Sequence, residues 1–380
     1  MTSFPIGAEV TVDELDRDPH PVLARLRAAE PVSWLPALQG WLVTRYDLVD
    51  QLLRDPATFT VDDPRFSTAQ VVGPSMLSLD GAEHARHRAP FTRSFRPRDV
   101  HDRFAALVAD ETRRLIAGLP PGRAELRRDL AGPLSVAVVA SALGLSTVDA
   151  PTVLRWYDAI VSAVSGVSAG RAIPQEATTA FAQLHASVAA TVARRDETSL
   201  VAAADLAVDE VVSNAAVLMF GGIETTEGMI CNLAVHVLSR PDALVALRAD
   251  RTLIPAAVEE SLRLEPAAAV VDRYATRDVE LGGARIRAGD LVTASIAGAN
   301  RDPAVFADPD RFDLGRGNVR QQLAFARGPH VCIGLDLARL EAATALDALL
   351  DRPGLRLAED AAPRGLVFRK PPAVHVIWPN

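Results

Sequence analysis

The chain has 380 residues, of which 49% are hydrophobic and 5% aromatic, and its formal net charge is −8 at pH 7. That length suffices for a large buried core. The negative charge argues against a general nucleic-acid-binding surface, and no long apolar run near the start suggests a signal segment or membrane anchor. Two cysteines are too few for a disulfide framework, so we expect a soluble cytoplasmic protein.

Helical patterns dominate the chain. Apolar residues at helical spacing predict helices over 21–29, 47–54, 100–118, 128–143, 148–165, 176–195, 207–239, 241–249, 253–264 and 334–351. Short strand-like runs fall at 32–35, 41–44, 290–295 and 373–378. Because no linker or repeat marks a boundary, we expect a single domain over 1–380, mainly α with small β-sheets. Its small part would be β-rich and N-terminal, and its large part α-rich.

A basic helix is predicted after Asp80. His84 and Arg88 are spaced i, i+4, so both side chains point to one side of that helix. Two donors in this arrangement suit a carboxylate of a bound ligand. Without further context, a solvated basic helix face is the commoner case.

The longest helical pattern contains the run Gly221-Gly222-Ile223-Glu224-Thr225-Thr226. Two glycines inside a helix cost roughly 1 kcal/mol each relative to alanine, so something must offset them. Close helix–helix packing is one possibility. The other is a helix that crosses a flat cofactor, with a bulge where Thr225 withdraws its hydroxyl from the i−4 carbonyl. The Glu224 carboxylate and the Thr225 hydroxyl could then relay protons. Glu227 is unexpectedly polar on this helix, and the sequence does not explain it.

An ion pair is predicted at Glu260 and Arg263, which are spaced i, i+3 on a helix. An exposed pair of this kind contributes only a few tenths of a kcal/mol and usually has no further role.

One cysteine lies in a glycine-containing loop, within the run FARGPHVCIGLDLARLE over 325–341. Gly328 and Gly334 flank Cys332, and glycine takes positive φ freely, so the loop can curl close to a flat partner. The helix that follows and the loop N–H groups would stabilise a thiolate, and Phe325 would shield the sulfur from water. This arrangement suits a thiolate ligand to a haem iron.

Cys332 could also be a buried hydrophobe, a nucleophile or a zinc ligand. A lone cysteine is most often a small buried hydrophobe, as we expect for Cys231. A catalytic thiol needs a histidine base, but His330 is only two residues away and its side chain diverges from the sulfur. Zinc would need a second Cys or His at ligand spacing, and the sequence has none there.

The whole string Phe-x-x-Gly-x-His-x-Cys-x-Gly-x-x-Leu-Ala-Arg resembles the haem-ligand loop of the cytochrome P450 superfamily. The resemblance spans nearly the whole chain. It implies that Glu224 and Thr225 are the acid–alcohol pair of the oxygen-activating helix. It also implies that Glu260 and Arg263 form the superfamily's Glu-x-x-Arg signature, with Arg311 as the third member of a buried structural cluster.

The resemblance further implies a haem-propionate set made of His84, Arg88, Arg273 and His330. Haem b would lie between the long central helix and the helix after the cysteine loop, as in the cytochrome P450 fold. One departure affects the loop: Ala326 replaces the common glycine after the phenylalanine, so the turn there must accept a Cβ.

By the same resemblance, the protein is a haem-thiolate monooxygenase. Cys332 would be the proximal axial ligand, and O2 would bind near Gly222 and Thr225; Gly222, Phe325, Gly328 and Gly334 would border the cofactor. The substrate would be a hydrophobic small molecule of secondary metabolism, with hydroxylation as the default and epoxidation or oxidative coupling as alternatives. Segments expected to line its site are 76–79, 160–175, 218–220, 267–271 and 367–368.

No flavin or nicotinamide fingerprint appears, so electrons would come from a ferredoxin and a ferredoxin reductase. A positive set suited to an acidic carrier is formed by Arg93, Arg96, Arg98 and Arg327. We expect a monomer. Two rivals are a peroxide-driven enzyme of the same fold and a haem-binding sensor or carrier without turnover. The intact acid–alcohol pair argues against both.

Overall fold

Helices form most of the chain in the computed structural model, which describes residues 4–145, 148–168, 171–194 and 199–379. The helices are α1 Pro5–Glu9, α2 Val12–Arg17, α3 His20–Ala29, α4 Tyr46–Arg54, α5 Ser67–Val72, α6 Gly81–Thr92, α7 Pro97–Ala117, α8 Gly132–Ala142, α9 Ala150–Ser168, α10 Gln175–Arg194, α11 Val208–Leu238, α12 Pro241–Ala249, α13 Ile254–Leu264, α14 Ile296–Ala299 and α15 Leu335–Leu350. The strands are β1 Val32–Leu35, β2 Gly40–Val43, β3 Phe59–Thr60, β4 Arg123–Glu125, β5 Val270–Ala275, β6 Val279–Leu281, β7 Ala284–Ile286, β8 Leu291–Ser295, β9 Arg356–Leu357 and β10 His375–Ile377.

The mainly α class and the long helices predicted from apolar spacing are confirmed. Residue 195, the predicted end of α10, lies outside the described residues. The sequence pattern missed the short helices α1, α2, α5 and α14 and the strands β3, β4, β5, β6, β7 and β9. Asp272 and Arg273 interrupt the apolar residues of β5, so the strand lacks the alternation that identifies a half-buried strand.

The largest sheet combines distant parts of the chain. Its strand order is β1-β2-β8-β5-β3, with β2 and β8 parallel and the other neighbours antiparallel. Two smaller sheets have the orders β4-β10-β9 and β6-β7. Since β5 and β8 follow residue 269, the sheet is not confined to the N-terminal part. The single-domain organisation stays a prediction.

Helix α11 passes through the core and packs against α8, α10, α13 and α15. Its apolar side chains join two hydrophobic clusters, one shared with α7 and α15 and the other with α9 and α10. Among the described residues, no single helix is long and apolar enough to cross a bilayer. Helices α11 and α12, bent by 101°, meet that requirement together on length and composition alone.

A buried ion cluster anchors α13 to the chain that leads to the cysteine loop. Arg263 donates two hydrogen bonds of 2.8 Å to Glu260, and neither side chain is exposed to solvent. The third member is Arg316, whose Nε lies 3.0 Å from Glu260 Oε1. The prediction of Arg311 is wrong: its side chain is exposed, and it offers Arg263 only its backbone carbonyl.

We predict that Arg316→Ala lowers the free energy of unfolding by about 3 kcal/mol, because it removes one partner from a buried ion cluster. Arg311→Ala is the matched control and should change that free energy by less than about 0.5 kcal/mol, since the backbone carbonyl remains. Urea unfolding measures both. Equal losses in the two variants would contradict the assignment of Arg316.

Candidate functional site

The cysteine loop is shaped by two residues with positive φ. Gly328 has φ 71°, and a Cβ there would overlap the backbone carbonyl of Leu53, so only glycine fits. Ala326 has φ 57°, which confirms that this turn accepts a Cβ, at a cost of about 1 kcal/mol. The amide of Cys332 donates to the carbonyl of Phe325 at 2.8 Å and closes the loop.

Cys332 lies just before a helix, as predicted. Gly334 is the N-cap of α15, but its φ of −89° shows that it is not needed for a left-handed turn, contrary to expectation. The cysteine side chain is accessible. Although solvent reaches the side chain, the protein packed around the sulfur raises the pKa of the thiol by desolvation, while the Gly334 amide and the cationic Arg88 and Arg339 lower it less. The surrounding protein thus favours the neutral thiol, and a metal ion bound to the sulfur would displace its proton.

Phe325 lies beside this loop and is half-buried. The guanidinium carbon of Arg339 lies 4.7 Å from the centre of its ring, in a cation–π contact. Arg339 also donates to Glu259 on α13, so the ring is held between α15 and α13.

The four predicted propionate donors converge on the start of α6. The His84 and His330 rings lie 4.3 Å apart, and Arg88 donates to the carbonyl of Val331 at 2.6 Å. Arg273 on β5 is 6% exposed, and burial lowers its pKa to about 10. Asp80 lies within electrostatic range of both histidines and of Arg273.

This donor set fits the carboxylates of a haem. His84 Nε2 is buried and has no hydrogen-bond partner within the described part of the chain, which is costly unless a ligand satisfies it. Burial, followed by repulsion from His330 and Arg88, lowers the pKa of His84 to about 4, so the ring is neutral at pH 7. His330 differs from the prediction, because its Nε2 already lies 2.7 Å from Asp80 Oδ1.

Helix α11 presents one accessible stripe in an otherwise buried stretch. Between residues 211 and 237, only Leu218, Gly221, Gly222 and Thr225 are not buried, and they follow the i, i+3, i+4, i+7 spacing of one helix face. This stripe is the part of the core helix that a bound molecule can reach.

The two glycines of the stripe have different roles. A Cβ at Gly222 would come 2.6 Å from Val139 Cγ2 on α8, so close helix packing explains this glycine. Around Gly221 there is open space, so Gly221 rather than Gly222 widens the accessible face. The predicted bulge is absent from this described stretch, because α11 is continuous and Thr225 Oγ1 donates to the carbonyl of Gly221 at 2.5 Å. The hydroxyl therefore remains available as an acceptor.

Glu224 and Glu227 are only 7% and 6% exposed, and both contact Lys370. Lys370 Nζ lies 2.8 Å from Glu224 and 2.9 Å from Glu227, and Arg127 donates to Glu227 at 2.5 Å. These cations explain the unexpected polarity of Glu227.

Helix α6 connects the cysteine loop to α11. On one side it carries His84 and Arg88. On the other, His87 Nδ1 lies 2.9 Å from Asn214 Nδ2, and Arg86 pairs with Glu210 at 2.6 Å. Helix α6 thus contacts both the cysteine loop and α11, the helix that carries the accessible stripe.

The sequence and structure of this chain match known proteins. The family model for cytochrome P450 matches residues 175–365. Cytochrome P450 monooxygenase PikC of Streptomyces venezuelae is 36% identical over 386 residues, covering 94% of this chain and 89% of PikC. The chain belongs to the cytochrome P450 family.

Two further matches span this cytochrome P450 almost completely. Nocardicin C N-oxygenase of Nocardia uniformis subsp. tsuyamanensis is 35% identical and covers 99% of the chain and 98% of its own length. The solved structure of myxobacterial CYP267B1 in complex with myristic acid has a TM-score of 0.86 and 31% identity, and it covers 100% of both chains. The enzyme is therefore a monooxygenase whose cofactor is haem b with a cysteine thiolate ligand.

Three functional neighbours in this cytochrome P450 escaped the sequence patterns. They are Asp80, which orients His330; Arg316, which binds Glu260; and Lys370, which binds Glu224. Each acts over a large sequence separation, so no local spacing identifies it. Lys370 had one signal, because it is the only lysine in the sequence.

We predict that Asp80 stabilises the fold above pH 4 and loses this effect as the pH falls toward 2. Burial raises the pKa of Asp80, but hydrogen bonds from His330, Thr60 and the Val61 amide bring it down to about 2, below the ordinary 3.8. Since the unfolded state binds the proton first, a lowered pKa contributes stability, here about 2 kcal/mol, at neutral pH.

Urea unfolding of wild type and Asp80→Asn between pH 7 and pH 3 tests this. The difference in unfolding free energy should be constant at neutral pH and shrink as the solution is acidified. Asp62→Asn, at an exposed carboxylate nearby, is the control and should behave like wild type. A difference that stays constant down to pH 3 would contradict the role of Asp80.

Proposed function

We propose that this cytochrome P450 uses Cys332 as the axial ligand and inserts one oxygen atom of O2 into a hydrophobic small molecule of secondary metabolism. The observation that carries the proposal is the position of Cys332, an accessible sulfur at the start of α15 in a loop tied to α6 by Arg88. Cys231 is the other cysteine, and it is fully buried in the core of α11. When bound, the haem supplies O2 activation and oxygen transfer.

The donors around α6 would hold the haem propionates. The buried, unpartnered Nε2 of His84 and the buried guanidinium of Arg273 would bind carboxylate oxygens directly. Arg88 would add a cation and keep the loop in place through its bond to Val331. The imidazole ring of His330 would lie beside the propionates, and its Nε2 would stay hydrogen-bonded to Asp80.

Thr225 and Glu224 would supply protons on the side of the haem where O2 would bind. Thr225 Oγ1 donates to the Gly221 carbonyl, so its oxygen lone pairs can accept a hydrogen bond on the accessible face of α11. Glu224 is the nearest acid in sequence and would replace protons used there. We expect Thr225→Ala to retain haem but to divert electrons from product to peroxide.

The substrate face would be apolar. Phe220 and Phe368 form an edge-to-face pair with ring centres 5.3 Å apart, and Ala268 bridges to Phe368, so three of the predicted lining segments meet. Leu77 and Leu218 are partly buried against the same cluster. Within the predicted segment 160–175, residues 169 and 170 lie outside the described residues. We infer hydroxylation as the default reaction, with epoxidation or oxidative coupling as alternatives.

Electrons would arrive from a ferredoxin and its reductase in the cytoplasm. Arg93, Arg96 and Arg98 are exposed next to Phe95, whose ring would lie 3.9 Å from a Cβ at Gly334 of the cysteine loop. Arg327 does not extend this surface freely, because its guanidinium donates to the carbonyls of residues 320–322. The proposed docking surface therefore consists of Arg93, Arg96 and Arg98.

We predict that the reduced enzyme gives a thiolate-shifted Soret band with carbon monoxide. Cys332→Ala should lose this band. Cys231→Ala is the matched control, and it should keep the band because that thiol lies in the core. Absence of the band in haem-loaded wild type, or its persistence in Cys332→Ala, would overturn the assignment of Cys332.

A second prediction concerns the docking surface. Arg96→Glu together with Arg98→Glu should slow reduction by an acidic ferredoxin severalfold and weaken the salt dependence of that rate. Arg113→Glu is the control, because this exposed residue lies about 22 Å farther along α7. Stopped-flow reduction measures the rates. An unchanged rate in the double variant would rule out this surface.

A further inference from the structure

A short turn over residues 75–78 lies between α5 and α6. The Ser78 amide donates to the Ser75 carbonyl at 3.0 Å, and the Ser75 and Leu77 amides donate to the Ser78 and Ser75 hydroxyls at 3.1 and 3.3 Å. The turn is thus held together by its own polar groups, as is common where serine hydroxyls bond nearby backbone. Ser75, Met76 and Ser78 are buried, whereas Leu77 is partly buried against the cluster that forms the proposed substrate face.

Asn214 on α11 connects this turn to the rest of the fold. The Met76 amide donates to Asn214 Oδ1 at 2.8 Å. Within the described part of the chain, this is the only hydrogen bond that joins the turn 75–78 to another element. Asn214 has no exposed surface, so water cannot replace the bond where it is lost, and an unpaired buried N–H group is costly. The position of the turn therefore depends on one side chain of α11.

The orientation of the Asn214 amide is determined by three partners. The Met76 amide can only donate, so the side-chain oxygen of Asn214 must face it. Asn214 Nδ2 then has two hydrogens to place. One is donated to the Glu210 carbonyl at 2.8 Å, and the other to His87 Nδ1 at 2.9 Å. A flipped amide would lose all three bonds at once.

His87 must therefore accept at Nδ1, and its ring carries the proton on Nε2. That nitrogen lies 3.6 Å from Glu210 Oε1, which is available as an acceptor. Arg86 NH2 is 3.1 Å from the same nitrogen, but its two hydrogens are directed to Glu83 and Glu210. His87 is buried, so its tautomer is set by these neighbours and not by water. The ring thus keeps the Asn214 amide in the orientation that binds Met76.

This network joins two sides of the proposed site. His87 is on α6, next to Arg88 and one turn after His84, the proposed donors to the haem propionates. Asn214 is on α11, one turn before Leu218, which belongs to the accessible stripe. The turn that carries Leu77 is therefore placed relative to both helices by a single buried amide.

We propose that Asn214 is a positioning residue for substrate binding, which holds the turn 75–78 and its Leu77 against α11, and that His87 fixes the amide for this purpose. The inference rests on the proposed substrate face and goes beyond it, because neither residue would touch the substrate. A wall that is in place before the substrate arrives needs no ordering when the substrate binds, so affinity falls when the wall is released. The ligands affected would be those with an apolar chain long enough to reach Leu77.

The first experiment measures the anchor itself by hydrogen exchange of peptides that cover residues 74–79 in the haem-loaded enzyme. Asn214→Leu has nearly the same volume, and it should speed exchange of the Met76 amide by about tenfold, since the acceptor is lost. His87→Leu should have a smaller effect, because Met76 keeps its acceptor. Unchanged exchange in Asn214→Leu would show that this bond does not hold the turn.

Val237→Ala is the control for a general loss of stability. Val237 is fully buried on α11, about 35 Å along the helix from Asn214. This variant should lower the free energy of unfolding but leave the exchange of residues 74–79 like that of wild type. Equal acceleration in Val237→Ala and Asn214→Leu would mean that the turn responds to stability alone, and the proposal would be wrong.

The second experiment measures substrate-side binding with two azoles whose ring nitrogen binds the haem iron, imidazole and 1-dodecylimidazole. Only the second has an alkyl chain that can reach the wall. Asn214→Leu should leave the affinity for imidazole unchanged and weaken that for 1-dodecylimidazole severalfold. Myristic acid, followed by its spin-state shift, should lose affinity to the same degree. A merely structural defect would lower haem content without changing the ratio of the two azole affinities.

A double-mutant cycle tests the role of His87. The variant with both His87→Leu and Asn214→Leu should bind 1-dodecylimidazole no more weakly than Asn214→Leu alone, because His87 acts through the amide. Additive losses would overturn the role of His87.

The wild-type enzyme separates this proposal from the proposed substrate face. If it binds both azoles equally, the chain meets no apolar wall, and the proposed substrate face is wrong together with this inference. If it prefers 1-dodecylimidazole and Asn214→Leu keeps that preference, the substrate face stands and the positioning role of Asn214 is wrong.

Discussion

The position of the cysteine loop depends on the ion pairs that the Glu260 carboxylate makes. Two guanidinium groups, from Arg263 and Arg316, converge on it, and both carboxylate oxygens are fully buried. Arg263 also donates to three backbone carbonyls in the irregular segment 300–311, so α13 determines the course of that segment. A buried ion pair is stable only when its remaining donors and acceptors are satisfied, and the carbonyls fulfil that condition here. The adjacent Glu259 binds α15 and extends the same support to the helix after the loop.

The sequence was sufficient to predict the features that depend on the spacing of apolar residues and on local motifs. Apolar spacing was sufficient for the long helices, and the motif around Cys332 was sufficient for the family and the cofactor, because these signals lie within short stretches. Contacts between distant residues were not predictable in the same way. Arg311 and Arg316 are both arginines within reach of α13, and only the folded course of the segment decides that Arg316 binds Glu260. The Thr225 hydroxyl followed the ordinary helical preference for the i−4 carbonyl, where a bulge had been expected.

The thiol of Cys332 shows how burial and local dipoles compete. The helix N-terminus, the Gly334 amide and two arginines all favour a thiolate, yet the surrounding protein raises the thiol pKa. Desolvation acts on the whole charge, whereas a helix terminus contributes only about half a unit charge at a distance. The protein thus supplies orientation and access, and the iron would supply the positive charge that makes the thiolate stable. Cofactor binding and deprotonation are then linked, since each favours the other.

The two sides of α11 need opposite electrostatic environments, and the sequence separates them by helical spacing. Leu218, Gly221 and Thr225 form the accessible side, which has no charge and suits an apolar substrate. Glu224 and Glu227 lie on the inner side, where a cation is required for each carboxylate. Because adjacent positions on a helix differ by about 100°, Thr225 and Glu224 can be neighbours in sequence and still belong to different environments. An acid can therefore stand next to an apolar oxidation site without exposing its charge to the substrate.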